Sequence, residues 1–149
     1  MIYLFVREQE LAMTTNPIMH LTEKVSVMGQ VSPEQIAALK AEGFTTVMCN
    51  RPDHEDPGQP TMDELAGACE EYGLRFVRYP LTMMNFPGDD VAGMAEEFEP
   101  ETGKVLAYCR TGTRSANLWI LTLAGDARLT AFAAAERYGI NTMSARQLG

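Results

Sequence analysis

The feature that most constrains this chain is one continuous succession near its C-terminal third. Lys104-Val105-Leu106-Ala107-Tyr108 is a short apolar run, Cys109-Arg110-Thr111-Gly112-Thr113-Arg114-Ser115 is small and polar, and Ala116 to Ala124 is apolar at helical spacing. The first run reads as a buried strand and the last as a helix, so the chain must turn from strand to helix through a loop that begins with a cysteine. A strand that feeds a helix in this way is the unit of α/β architecture.

The rest of the chain repeats that unit. Leu21 to Gln30 alternates around Leu21, Val25 and Val27 and predicts an opening strand or hairpin. Ser32-Pro33-Glu34-Gln35 predicts a helix start, with Ser32 at the N-cap, Pro33 at the first helical position and Gln35 as capping-box partner. That helix runs to about Glu42 and Gly43 closes it. Phe44 to Cys49 is β-rich, and Asn50 to Pro60 is a loop punctuated by prolines. A second helix opens at Thr61 and ends at Gly73, a strand covers Arg75 to Leu81, and a loop covers Thr82 to Gly88. Asp89 or Asp90 caps a helix from Val91 to about Phe98, and a final helix runs from Arg128 to Tyr138. This order predicts an α/β fold, a mainly parallel central sheet flanked by helices. Loops 50–60, 82–88 and 109–115 all leave carboxyl ends of strands, where such sheets bind ligands, and should share one rim.

The Cys109 loop also has a chemical reading. A cysteine behind a strand is commonly a small core residue. That reading leaves Arg110, Arg114, Gly112 and the hydroxyls of Thr111, Thr113 and Ser115 unexplained. Loop N–H groups, a helix N-terminus and arginines beside a thiol lower its pKa and stabilise an anion next to the sulfur. Gly112 suits a place where backbone must approach a ligand. Cys109 is therefore the candidate nucleophile, Arg114 and Ser115 its catalytic neighbours, and Arg110, Thr111, Gly112 and Thr113 the anion-binding loop. Arg51, on the neighbouring loop, is a further anion-binding candidate.

The net charge of −8 makes nucleic acid and anionic membranes poor partners, so the positive charge at this loop is a local feature. The odd count of three cysteines, Cys49, Cys69 and Cys109, suggests a reducing compartment and a cytoplasmic location. Neither they nor His20 and His54 have zinc-site spacing, so no metal and no cofactor are expected. Cys49 and Cys69 read as core, and Met83 and Met84 as lining of a pocket mouth. Residues 1–12 read as an extension outside the fold, with a second possible start at Met13 and a single domain over 13–149.

Taken together and in order, several runs resemble a known family. They are residues 27–34 (VMGQVSPE), Gly43-Phe44 with Asn50-Arg51-Pro52-Asp53, residues 57–60 (PGQP), and Tyr108 to Ser115 with Leu118-Trp119. They resemble the phosphatase-like domain of the beta-lactamase-hydrolase-like proteins, bacterial relatives of dual-specificity protein phosphatases, over about residues 18–149. The resemblance implies a cysteine-dependent-phosphatase-like fold, Cys109 as nucleophile and Arg114 as the anion-binding arginine. The chain departs from phosphatases of this fold in three ways. The stretch from Arg110 to Thr113 is one residue shorter than theirs, and Tyr108 replaces their usual histidine. The loop that would supply an aspartate general acid begins Thr82-Met83-Met84-Asn85-Phe86, without a carboxylate. Asp89 and Asp90 come late and read more readily as helix caps than as the acid. Asp53 and Glu55, on the neighbouring loop, are the other acid candidates. Single-domain rhodaneses carry a very similar Cys-Arg-x-Gly-x-Arg-Ser run.

Three functions stay open at this point. One is hydrolysis of a small phosphomonoester through a Cys109 covalent intermediate, with Asp53 the favoured acid. Another is transfer of sulfane sulfur through a Cys109 persulfide to an acceptor thiol, which needs no acid. The third is an anion-binding regulatory module without catalysis. In each the partner is a small anion.

Overall fold

The computed structural model describes residues 17–149, so the expected extension over residues 1–12 lies outside the described residues. Five strands form one sheet: β1 (Met19–His20), β2 (Val25–Met28), β3 (Phe44–Cys49), β4 (Arg75–Arg78) and β5 (Lys104–Tyr108). Their spatial order is β1-β2-β5-β3-β4, with β1 antiparallel to β2 and every other pair parallel. β5 is central. Tyr108, its last residue, pairs with Met28 on one side and Cys49 on the other.

Alternation along the strands divides the core into two layers. Val27, Met48, Val105 and Ala107 face helices α4 (Thr113–Leu121) and α5 (Gly125–Arg137), where Leu118, Trp119, Ala131 and Ala135 are buried. Met28, Val47, Cys49, Leu106 and Tyr108 face α1 (Ile36–Ala41) and α2 (Met62–Tyr72), against Ile36, Leu39, Leu65 and Cys69. α3 (Val91–Glu97) and α6 (Met143–Leu148) complete the fold.

The local signals work as their chemistry demands. Gln35 Oε1 accepts the Ser32 N–H at 2.8 Å, although the first turn, Pro33–Gln35, is 3₁₀ before α1 begins. Thr61 Oγ1 accepts the Glu64 N–H, and α2 ends at Gly73 with φ 75°. Of the two aspartates before α3, Asp90 is the cap, accepting the Gly93 N–H at 3.0 Å.

Three boundaries and one whole helix differ from expectation. β4 stops at Arg78 rather than Leu81, because Pro80 has no N–H to donate. Tyr79 and Leu81 still bond individually to the Cys49 and Asn50 carbonyls. α4 begins at Thr113 rather than Ala116, because Gly112 takes φ 95° and lets the helix start inside the expected loop. α5 begins at Gly125 instead of Arg128. α6 was not expected, and a buried side chain holds it: Asn117 accepts the Ala145 N–H at 3.0 Å and donates to the Asn141 carbonyl at 2.8 Å.

Candidate active site

Cys109 is the first residue beyond the central strand. Its N–H donates to the Met28 carbonyl at 3.3 Å, which continues the β2–β5 ladder, and the residue is wholly buried. The chain then doubles back. The Gly112 N–H donates to Cys109 Sγ at 3.1 Å, and α4 starts at the next residue. Gly112 has φ 95°, a left-handed conformation that demands glycine, while the nearest atom to a Cβ there is the flexible end of Met19, which could move aside. The N–H of the residue that caps α4 thus faces the sulfur. Thr111 and Thr113 join hydroxyls at 3.1 Å and brace the loop from outside.

Arg114 and Ser115 lie in the first turn of α4. Arg114 reaches across both neighbouring loops: Nη1 donates to the Leu81 carbonyl at 2.6 Å, and Nη2 to Glu55 Oε1 at 2.7 Å. A guanidinium carries five N–H groups, so these two bonds aim the fork and leave donors for an anion. Ser115 Oγ donates to Asn50 Oδ1 at 2.8 Å. Asn50 is fully buried, and its Nδ2 donates to the Tyr79 carbonyl at 3.0 Å. This clasp ties the end of β3 to β4 and to α4. Sequence reasoning missed Asn50, whose one visible signal was its place directly behind a buried strand.

Loop 50–60 behaves differently from expectation. Arg51 is not presented to a ligand, because its side chain is 3% exposed and its fork is spent on protein groups. Nε donates to Glu55 Oε1 at 3.0 Å, Nη1 to Gln30 Oε1 at 3.1 Å and Nη2 to Asp56 Oδ2 at 2.9 Å. Asp56 also pairs with Arg110 Nε at 3.2 Å. Burial pushes the Glu55 carboxyl up, but Arg114 and Arg51 together bring it below the ordinary range. The Arg51 and Arg110 guanidiniums likewise hold Asp56 low. Asp53, the favoured acid, accepts the Met62 N–H at 2.9 Å and serves the start of α2. Of the other two acid candidates, Asp90 is the α3 cap and Asp89, exposed, precedes it.

Loop 82–88 is cross-tied. The Thr82 N–H donates to Asn85 Oδ1 at 2.6 Å, the Met84 N–H to Thr82 Oγ1 at 3.1 Å, and Asn85 Nδ2 to the Pro80 carbonyl at 3.2 Å. The polar side chains of Thr82 and Asn85 bond within the loop. Met83 and Met84, expected to line a pocket mouth, instead stand in solvent at 98% and 96% exposure.

Cys49 and Cys69 are buried, as expected. Burial raises the Cys49 thiol, whose Sγ donates to the Arg51 carbonyl at 3.2 Å, and pushes Cys69 up to about 11. A hollow of about 580 Å³ lined by Val25, Phe98, Trp119, Leu123 and Ala131 lies at the amino ends of the parallel strands, opposite Cys109. Among the described residues no group of three His, Cys, Asp or Glu side chains could hold a metal ion, and no helix is long and apolar enough to cross a membrane.

Residues 18–126 match the family model described as "Beta-lactamase hydrolase-like protein, phosphatase-like domain". A beta-lactamase hydrolase-like protein of Agrobacterium fabrum is 28% identical over 109 residues, which is 73% of this chain. The chain spans about a quarter of the length of the curated relatives it matches, 25% for that protein and 26% for the one from Xylella fastidiosa. Among solved structures, a candidate phosphatase of Neisseria meningitidis is similar at TM-score 0.66 and 28% identity, covering 87% of this chain and 94% of its own. PTPMT1, solved in complex with PI(5)P, is similar at TM-score 0.65 and 15% identity, covering 83% of this chain and 85% of its own, a likeness of fold alone. The fold is therefore the cysteine-dependent-phosphatase-like one that the sequence suggested.

Proposed function

Because the chain belongs to the family of phosphatase-like domains of beta-lactamase hydrolase-like proteins, we propose that it hydrolyses small phosphomonoesters through Cys109. The observation that carries this reading is the Gly112 N–H aimed at Cys109 Sγ, one residue before the helix that carries Arg114.

The Cys109 thiolate attacks phosphorus. An S–P bond forms, the P–O bond to the leaving group breaks, and its electron pair departs with that oxygen. The loop N–H groups and the remaining Arg114 donors hold the other phosphoryl oxygens, a preorganised electrostatic role. Water then cleaves the S–P bond, releasing inorganic phosphate and restoring the thiolate. Ser115 supports the first turn of α4 through Asn50, and Arg110 brings positive charge to the mouth.

The carboxylates near this rim favour one class of substrate. Of the four acid candidates, Glu55 is held ionised, Asp90 is committed to α3 and Asp53 to α2, which leaves only the exposed Asp89 in the bend before α3. A general acid must hold a proton at the working pH, and its loss costs about 10²–10⁴-fold. We therefore assign substrates whose leaving group departs without a proton, such as aryl or acyl phosphates. Met83 and Met84, two and three residues beyond the carbonyl that aims Arg114, offer polarizable contact to an aryl group.

The same shortage of acid favours a second reading. Cys109 would attack the outer sulfur of thiosulfate, sulfite would leave with its electron pair, and an acceptor thiolate would then take the sulfur from the persulfide. One experiment separates the two. Purified protein and its Cys109→Ser variant are assayed on p-nitrophenyl phosphate and on thiosulfate with an acceptor thiol. Cys109-dependent phosphate release is expected. A mass gain of one sulfur on Cys109 without phosphate release would instead establish sulfur transfer.

A further inference from the structure

We infer that Arg51 is a positioning residue that keeps the Cys109 loop positively charged, although its own fork never reaches the bound anion. The inference rests on the reading above that this loop binds an oxyanion.

Five charged side chains form one alternating network. Arg51 bonds Glu55 and Asp56, Glu55 bonds Arg114, and Asp56 bonds Arg110. Three guanidiniums face two carboxylates, which leaves one positive charge in excess. Without Arg51 the two carboxylates would neutralise Arg114 and Arg110 one for one, and an incoming oxyanion would meet a site of no net charge. Arg51 is suited to this task. Its side chain is 3% exposed, so solvent and salt screen it little. Gln30 takes its third direction and fixes the fork. Its charge is therefore spent on the two carboxylates, and the charges of Arg110 and Arg114 stay available at the mouth.

Arg51 also orients what it neutralises. Glu55 Oε1 receives both Arg51 Nε and Arg114 Nη2, so one carboxylate oxygen relays the position of a buried arginine to the anion-binding one. With the Leu81 carbonyl on Nη1, the outer edge of the Arg114 fork is held at two points.

The test is isothermal titration calorimetry with tungstate, an inert tetrahedral oxyanion, alongside urea unfolding of each protein. Arg114→Ala supplies the blank. Arg51→Met is expected to weaken tungstate binding by about tenfold or more, the order expected for one charge at close range in a protein-like dielectric. Arg51→Met with Glu55→Gln restores the single excess charge and is expected to recover most of that affinity without regaining stability. Arg51→Lys is expected to keep affinity within about threefold while losing stability, because an ammonium keeps the charge but not the three-way fork. Asp56→Asn, at a residue 39% exposed, adds a net positive charge to a folded protein and is expected to tighten binding. A merely structural Arg51 would make affinity follow stability across all four variants. The inference is overturned if Arg51→Met binds tungstate as tightly as the wild type. It is equally overturned if the double variant binds as weakly as the single, or if Asp56→Asn weakens binding, which also decides the matter should Arg51→Met fail to fold. A wild type that binds no tungstate removes the oxyanion reading itself, a different outcome from all of these.

Discussion

Asn50 is the residue whose loss should be felt most clearly. Its amide is fully buried, donates to the Tyr79 carbonyl and accepts from the Ser115 hydroxyl. Asn50→Ala strands both partners, and a buried polar group left unpaired costs about 1–3 kcal/mol. Two stranded groups give a loss of about 2–6 kcal/mol. At about 2–4 °C per kcal/mol for a chain of this size, the midpoint of thermal unfolding should fall by roughly 4–24 °C. Ser115→Ala alone strands only Asn50 Oδ1 and should cost about 1–3 kcal/mol. In the double variant only the Tyr79 carbonyl remains unpaired, so its loss should be at least about 1 kcal/mol smaller than the sum of the two single losses. Urea unfolding followed by the fluorescence of Trp119, the one tryptophan and itself buried, measures all three. A loss below about 0.5 kcal/mol in Asn50→Ala, or strict additivity in the double variant, would refute the clasp.

Arg114→Lys keeps the charge and loses the planar fork, so p-nitrophenyl phosphate turnover should drop by about 10²–10³-fold, as when an oxyanion donor is removed. Steady-state kinetics at matched folding checks this, and retained turnover would move the anion elsewhere. Glu55 and Asp56 have folded-state pKa values lowered below their unfolded ones, chiefly through Arg114 and Arg51 acting on Glu55 and Arg51 on Asp56. Their ion pairs therefore contribute fully above the unfolded carboxylate range, near about pH 4, and are lost as pH falls through the lowered values. Thermal melts between neutral and acid pH should show that acid limb, and Glu55→Gln should flatten it. Replacing Met83 and Met84 with serine should raise KM for naphthyl phosphate several-fold and leave acetyl phosphate unchanged, and an equal effect on both would deny them a role in leaving-group choice. Asp53→Asn and Asp90→Asn should leave turnover of p-nitrophenyl phosphate within about twofold, since that leaving group needs no proton.

The sequence carries the Cys109 loop openly, because the chemistry there is local. Cysteine, glycine and arginine are read in one run, and the strand before and the helix after are each marked by period. The cap at Thr61 is equally open and that of α3 narrows to Asp89 or Asp90, since each cap is made within a few residues of itself. What the sequence hides is set by distance. Asn50 means nothing until Tyr79 and Ser115 come to it. α6 exists through Asn117, 28 residues earlier. Arg51 reads as an anion ligand in the sequence because its loop neighbours that of Cys109. Its spacing to Glu55, four residues on, already allowed the pairing that the fold makes. The early start of α4 depended on a left-handed Gly112, which spacing does not announce.

The place of β5 in the sheet has a consequence for synthesis. β2 and β3 are made first, yet neither pairs with the other, and both wait for residues 104–108. While the ribosome is still short of Lys104, only the hairpin of β1 with β2 and the pair of β3 with β4 can form, each with an open edge. Insertion of β5 closes both edges in one event, and the next residue out is Cys109. The thiol thus follows directly on the strand that makes the sheet continuous. A synthesis-arrest series with chains ending before and after residue 109 should show protease resistance arriving only once Cys109 and α4 have emerged.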